Sequence, residues 1–500
     1  MSIRTRSLII MFSKGVTQAT TIVLGVILVR LISKQAFGTY RQVLLVYTFL
    51  TGILSLQLST SLYYFIPKLG LEQQRTILMQ TLLLTFAAAM IIAGIMFFGA
   101  GHIARIFHNP DLVLLIRILA LYPFVERLIA LVPAFMISID RPYRAGAYTL
   151  AASVGRLTAV VIAFALGYDL PYVICSIVAV GGIIALAGCT DMVRLSPIGS
   201  WRISPNLLVD QFQYSWPLLA AAVVGTIGLQ FDKLVISSFF ASAEYAVYSC
   251  GAIKLPVIAL ITSSLSVAMM PDLVRKTENG KVIEALNIWQ EGARKCSLII
   301  FPCFVFFFVI GYDLIVLLYG REYSMASWPF RIYLLALPIR ISVYGAMFRA
   351  IGRTKPIVVA SILSLVVNIT VSLALVILGK NTIISFIGPA IGTTFAVCTS
   401  LPYLLLKLSR LISTPLSRIM RWKELGLTML ACLGAGAIML LLPLQMLPLA
   451  VKLSCQAVFY LVTLAALMIA TKMLKEDEKR MLSWPLFAIR RWRSSFKTRR

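Results

Sequence analysis

The chain alternates between apolar stretches of about 20 residues and short hydrophilic gaps, and it does so about fourteen times. A stretch of that length crosses the hydrocarbon core of a bilayer as a helix, because lipid offers an open backbone no hydrogen-bond partner. The pattern predicts an all-α polytopic membrane protein. Its expected spans lie near 8–30, 42–66, 77–99, 112–137, 145–167, 170–192, 211–238, 245–270, 295–319, 327–350, 356–379, 382–406, 424–442 and 447–471. No gap is long enough for a folded domain outside the membrane. Pro123, Pro133, Pro217, Pro256, Pro338 and Pro389 fall inside the apolar stretches and are expected to interrupt helices, as hinges or as tolerated kinks.

Two short patterns recur in the same order. LISKQAFGTY (Leu31–Tyr40) follows the first span and FFASAEYAVY (Phe239–Tyr248) follows the seventh, each pairing an aromatic residue, a small residue and a tyrosine. IDRPYR (Ile139–Arg144) then ends the fourth span and IGRTKP (Ile351–Pro356) the tenth. The shared period of about 210 residues is six helices, an even number, so the halves have parallel orientation. The expected organisation is two pseudo-symmetric six-helix lobes, 1–192 and 211–407, joined by a linker at 193–210. An appended helix pair (408–471) and a basic tail (472–500) follow. Within 271–294, Val282, Leu286 and Trp289 share one helical face. That face suits either a helix lying in the membrane interface or one packed on the bundle.

The stretches LGVILVRLISKQAFGTY and QFDKLVISSFFASAEYAVYSCGAIKL, with the turn IGRTKP, resemble the Wzx-type flippases. These form the polysaccharide-transport branch of the MOP exporter superfamily, to which the MATE transporters also belong. The resemblance implies a fold that alternates between inward and outward openings. It also implies a substrate class, an undecaprenyl-diphosphate-linked sugar unit moved to the outer leaflet.

Composition agrees with the span pattern: 60% of residues are hydrophobic and 13% charged. The net charge of +27 would suggest nucleic acid in a soluble chain. Here it has another source. If the N-terminus is cytoplasmic, the even-numbered gaps and the tail hold about thirty Lys and Arg, and the odd gaps hold seven. This positive-inside bias places both termini in the cytoplasm and speaks against nucleic acid as a partner. The resemblance implies a bacterial inner membrane. The eight cysteines show no disulfide or metal spacing, and no Walker motif is present. No cofactor is expected; an H+ or Na+ gradient would supply the energy.

Ten of the charges inside the expected spans are the candidates: Lys14, Arg117, Glu126, Arg127, Arg156, Asp232, Lys233, Lys254, Arg331 and Arg340. Charges there are costly and normally face a bundle interior or a hydrated cavity. Bases outnumber acids eight to two, which suits a diphosphate rather than a cationic drug. Lys14, Arg127, Arg156 and Arg340 are the expected cationic substrate site. Arg117, Arg331 and the Asp232–Lys233 pair lie nearer helix ends, where side chains can snorkel, and Lys254 suits either role. Gln18, Gln57, Tyr64, Tyr344 and Asn368 fall on polar or aromatic stripes and are expected to line the same cavity. Glu126 and Asp232 are candidates for ion coupling; Glu126 could equally pair with a base, and a structural lock to another helix is the favoured role of Asp232. The expected activity is flipping of a polyprenyl-diphosphate-linked oligosaccharide by ion-coupled alternating access. A cation-coupled drug exporter and a membrane glycosyl polymerase are the competing readings. Membrane lipids and polysaccharide polymerase machinery are the other expected partners.

Overall fold

The computed structural model describes residues 3–54, 56–196, 203–253, 255–444 and 446–471. Lys254, residues 197–202 of the expected linker and the tail from Lys472 onward lie outside the described residues. Among the described residues all regular structure is helical. The helices are α1 (Ile3–Leu31), α2 (Lys34–Leu54), α3 (Leu58–Phe65), α4 (Leu71–Ile106), α5 (Leu112–Leu119), α6 (Tyr122–Ser138), α7 (Pro142–Ala165), α8 (Leu170–Leu195), α9 (Pro205–Phe239) and α10 (Ser242–Gly251). They continue as α11 (Pro256–Glu278), α12 (Val282–Tyr319), α13 (Ser327–Leu334), α14 (Gly345–Ala350), α15 (Lys355–Leu378), α16 (Ile383–Leu411), α17 (Leu416–Ile419), α18 (Trp422–Leu440) and α19 (Leu449–Ala470).

Ten of these helices are long and apolar enough to cross a membrane, and α2 with α3, bent by 42°, forms an eleventh candidate. The three other expected spans are each broken. Ala120–Leu121 separates α5 from α6, residues 252–255 separate α10 from α11, and a 3-10 turn at Pro338–Ile341 separates α13 from α14. Pro123 and Pro256 stand in the first turn of α6 and α11, where a missing N–H costs no hydrogen bond. By contrast Pro133 and Pro217 sit inside helices that run on through them, and Pro389 lies within α16, so the expected interruption there does not occur.

The chain divides into two compact units that interleave in sequence. The first comprises Met1–Lys254, Leu318–Phe330 and Ser361–Ala396; the second comprises Leu255–Leu317, Arg331–Ala360 and Val397–Arg500. In the first unit α1 packs on α7, α7 on α6 and α8, and α2 on α9 and α10. The two sequence motifs that recur thus meet each other directly. Ser33 Oγ accepts the Ala36 N–H to start α2, and Glu244 accepts the Ala241 N–H to start α10. Their helices approach so closely that a β-carbon at Gly38 would stand 1.8 Å from the Ser242 carbonyl oxygen. Phe37 meets Tyr323 edge to face, and Lys34 pairs with Glu322 at 3.4 Å.

In the second unit, the stretch carrying Val282, Leu286 and Trp289 is no separate interfacial helix. It is the beginning of α12, whose 38 residues extend about 57 Å. Leu286 and Trp289 are buried among Met347, Phe348 and Leu408, which decides for packing on the bundle. Nearly full burial of Arg294 is compensated by Glu291 at 3.0 Å and Glu424 at 3.6 Å, and Arg421 reaches Glu291 at 2.7 Å. Further along α12, Asp313 pairs with Lys452 at 2.6 Å, and Tyr460 donates to the Pro302 carbonyl. These contacts fix α18 and α19 against α12.

Candidate functional site

A cavity of about 380 Å³ opens within the first unit among α1, α2, α5, α6, α7 and α8. Its wall follows from helical spacing. Thr17, Thr20, Thr21, Leu24 and Gly25 line it from α1; Tyr40, Arg41, Leu44, Tyr47 and Thr48 from α2; Thr149, Ser153 and Arg156 from α7. Thr17 and Ser153 hydroxyls lie 2.6 Å apart and join α1 to α7 at the cavity edge.

One continuous polar chain runs across the wall. The Arg156 guanidinium donates to the Tyr122 hydroxyl and lies 5.7 Å from that ring's centroid. Tyr122 meets Tyr47 edge to face at 5.0 Å. Tyr47 donates to Glu126 Oε2 at 2.8 Å, and Arg127 Nε lies 3.4 Å from the same oxygen. Arg127 also reaches the Thr51 carbonyl at 3.5 Å. Among the described residues no carboxylate lies within ion-pair distance of Arg156 or Arg41. The cavity therefore carries two guanidiniums beyond ion-pair distance of any described acid, one acid engaged by the Tyr47 hydroxyl and the Arg127 charge, and a surface of hydroxyls and tyrosine rings. Such a surface accepts an anion through Arg156 and Arg41, and accepts polyhydroxylated groups through hydroxyl hydrogen bonds and ring stacking.

The expected site residues do not all gather there. Arg156 and Glu126 line this cavity, as do Thr21 and Gly25, which share a helical face of α1 with Lys14 and Gln18. Lys14 and Gln18 of the same helix are exposed and are not part of its wall. Arg127 and Gln57 line a smaller adjoining pocket of about 50 Å³. Neighbours on a helix point about 100° apart, yet Glu126 and Arg127 meet, because the long Arg127 side chain bends back to the carboxylate. Tyr64 faces outward, stacked on Tyr214 at 4.4 Å with Lys68 3.7 Å from its ring centroid. Asn368 is buried at 2% exposure; its amide donates to the Gly228 carbonyl and its oxygen accepts from Ser372 and Thr393. It knits α15 to α9 and α16 rather than lining open space. Asp232 is likewise buried, with the Tyr248 hydroxyl 3.5 Å away. Arg340 and Tyr344 belong to the second unit. Arg340 sits exposed in the 3-10 turn, while Tyr344 donates to the Ile339 carbonyl and packs on Trp289. Arg331 caps the Phe308 carbonyl, and Arg117 lies over Phe97.

Tyr40, Arg41, Tyr47, Tyr122, Thr149 and Ser153 were not among the expected site residues. The spacing 40–44–47 on α2 and 149–153–156 on α7 carries the signal: each set lines one helical face.

The sequence pattern of a family described as "Polysaccharide biosynthesis protein" matches residues 27–327, well over half of the chain. The chain belongs to this family. The matched stretch of the polysaccharide biosynthesis protein includes α2, α6 and α7, so it contains most of the cavity wall. No curated relative matches it in sequence. Among solved structures it is similar to a lipid II flippase, MurJ, in an inward closed conformation. The TM-score is 0.70 at 14% identity, over 93% of this chain and 99% of that one. It is also similar to an inward-facing MATE multidrug resistance transporter of the MOP superfamily, with TM-score 0.64 at 15% identity over 80% and 96% of the two chains. A MOP superfamily transporter from Pyrococcus furiosus, titled for the reverse polarity of its binding pocket, gives 0.56 at 15% over 82% and 96%. At these identities the likeness is one of fold: this multi-pass membrane protein has the fold of the MOP superfamily, whose structures here are transporters and flippases.

Proposed function

We propose that this protein flips a polyprenyl-diphosphate-linked oligosaccharide from the cytoplasmic to the outer leaflet of a bacterial inner membrane. The observation that carries this reading is Arg156, a cation without a carboxylate partner, open to a cavity of hydroxyls and tyrosines in a polysaccharide biosynthesis protein. The diphosphate would pair with Arg156 and Arg41, the sugars with Thr17, Thr20, Ser153 and the tyrosine rings, and the lipid tail would stay in the bilayer. Lys14, Arg127 and Arg340 would serve the substrate elsewhere along its path. Fourteen spans in two pseudo-symmetric lobes, 1–192 and 211–407, with the pair in 408–471 appended and both termini cytoplasmic, would give alternating access its frame. Coupling to H+ or Na+ would pass through Glu126 or Asp232.

A drug exporter for organic cations needs an acid free to meet them. Glu126 is the one carboxylate among the described cavity residues, and Tyr47 and Arg127 already engage it. The deciding experiment deletes the gene in a strain lacking other flippases and measures lipid-linked sugar in each leaflet. The reading requires accumulation on the cytoplasmic side; unchanged outward transfer rejects it, and a change in drug sensitivity alone favours the exporter.

A further inference from the structure

Arg41 lines the cavity and at the same time leaves it. Its Nε donates to Ser249 Oγ at 3.2 Å and its Nη2 reaches the Ser249 carbonyl oxygen at 3.5 Å. The two residues are 208 apart in sequence, which is the offset between LISKQAFGTY and FFASAEYAVY. Arg41 therefore bonds to its own counterpart in the recurring motif. In the expected arrangement of two pseudo-symmetric lobes, a contact between counterparts would lie on the axis that relates the two copies, here the seam between α2 and α10. Ser249 is 1% exposed, and the seam around it is tight: Gly38 against Ser242, and Gly251 against the Ala326 carbonyl. Ser249 Oγ also donates to the Ala246 carbonyl, so its lone pair is aimed at the guanidinium.

We infer that Arg41 is a positioning residue that reports cavity occupancy to this seam. It holds α2 to α10 while the cavity is empty, and it turns to an anionic headgroup when one arrives. Both bonds to Ser249 join a charged donor to a neutral acceptor, and one of them is long. A diphosphate oxygen is the stronger partner for a guanidinium, since it adds charge attraction and can accept two N–H groups side by side. Arrival of the headgroup would thus withdraw a charged tie across the axis and loosen the seam. The charge distribution puts this end of α2 on the outer side, so parting would open the path on the side of release. The inference rests on the proposed transport reading, and it assigns Arg41 a role that Arg156 cannot share, because Arg156 bonds only within its own half of the repeat.

Cys250, next to Ser249 and 3% exposed, is a native reporter of the seam. The test uses the full chain in nanodiscs with Cys175, Cys189, Cys296, Cys303, Cys398, Cys432 and Cys455 changed to Ser. The rate of maleimide labelling at Cys250 is measured with and without millimolar inorganic pyrophosphate. The parent should label slowly and accelerate at least threefold with pyrophosphate. Arg41→Ala should label at least threefold faster than the parent with no further response. Arg41→Lys, which keeps a cation but loses the paired donors, should label at an intermediate rate and still respond; a protein merely disordered at the seam would not. Equal labelling of Arg41→Ala and parent, an identical pyrophosphate response in both, or an unresponsive Arg41→Lys overturns the assignment. The transport reading fails separately, through unchanged leaflet distribution on gene deletion.

Discussion

Arg156 shows how a single side chain converts a packing surface into a binding surface. Its guanidinium is held by the Tyr122 ring and hydroxyl, yet no carboxylate among the described residues lies within ion-pair distance of it. Replacing it by Ala should lower outward transfer of the lipid-linked sugar at least tenfold, equivalent to about 1.4 kcal/mol, with the protein still inserted in the membrane. Arg156→Lys should recover part of the rate, since an ammonium keeps the charge and loses the planar fork. Glu126 separates two roles. If it couples transport to protons, Glu126→Gln should abolish the pH dependence of transfer in proteoliposomes while leaving downhill exchange; a retained pH dependence would assign coupling to Asp232 or another group. The residue scale is also where sequence is least explicit. Arg156 was visible because a lone charge in an apolar stretch has few explanations. Tyr47 and Tyr122 were not, because aromatic rings at helical spacing ordinarily mean core. Asn368 misled for the converse reason: a polar residue in a span can line a cavity or tie helices together, and its hydrogen bonds to α9 and α16 settle for tying.

At the scale of elements, the long apolar helices were legible and their breaks were less so. Pro123, Pro133 and Pro256 look alike in sequence, but only Pro123 and Pro256 begin a new segment. Whether a proline starts a helix or bends one depends on which neighbour satisfies the freed carbonyl, and that neighbour is distant in the chain. The face of Val282, Leu286 and Trp289 was ambiguous for a similar reason: lipid interface and protein core demand the same apolar stripe. Helix pairs that approach through small residues should be the least tolerant of substitution. A β-carbon at Gly392 would stand 2.2 Å from Ser372 Oγ, so Gly392→Leu should separate α15 from α16 and sharply lower the yield of monodisperse protein. The ionic cluster on α12 should behave differently. Arg294→Ala leaves Glu291 with Arg421 as a partner, so the expected loss is roughly 1–3 kcal/mol, read as a lower unfolding midpoint in detergent with the fold retained.

For the whole molecule, membrane class was carried by a pattern repeated along the entire chain, which survives errors at any single position, whereas the family resemblance rested on a few short stretches. Orientation is the part that remains to be measured. Single cysteines introduced at Gly280, in the turn between α11 and α12, and at Asn381, between α15 and α16, should react with impermeant reagents from opposite sides. The first should label from the cytoplasm and the second from outside, as the distribution of Lys and Arg requires. Labelling of both from one side would contradict the span count as well as the orientation.

The pairing of α12 with α18 and α19 reaches further than their stability. Arg294 and Asp313 lie 19 residues apart on one helix, about 28 Å, so the charged pins sit near opposite faces of the hydrocarbon core. A helix pair recognised at both ends carries its own address. Residues 1–411 and 416–500, synthesised as separate polypeptides, should therefore find each other in the bilayer and assemble in register without the peptide bonds that normally join them.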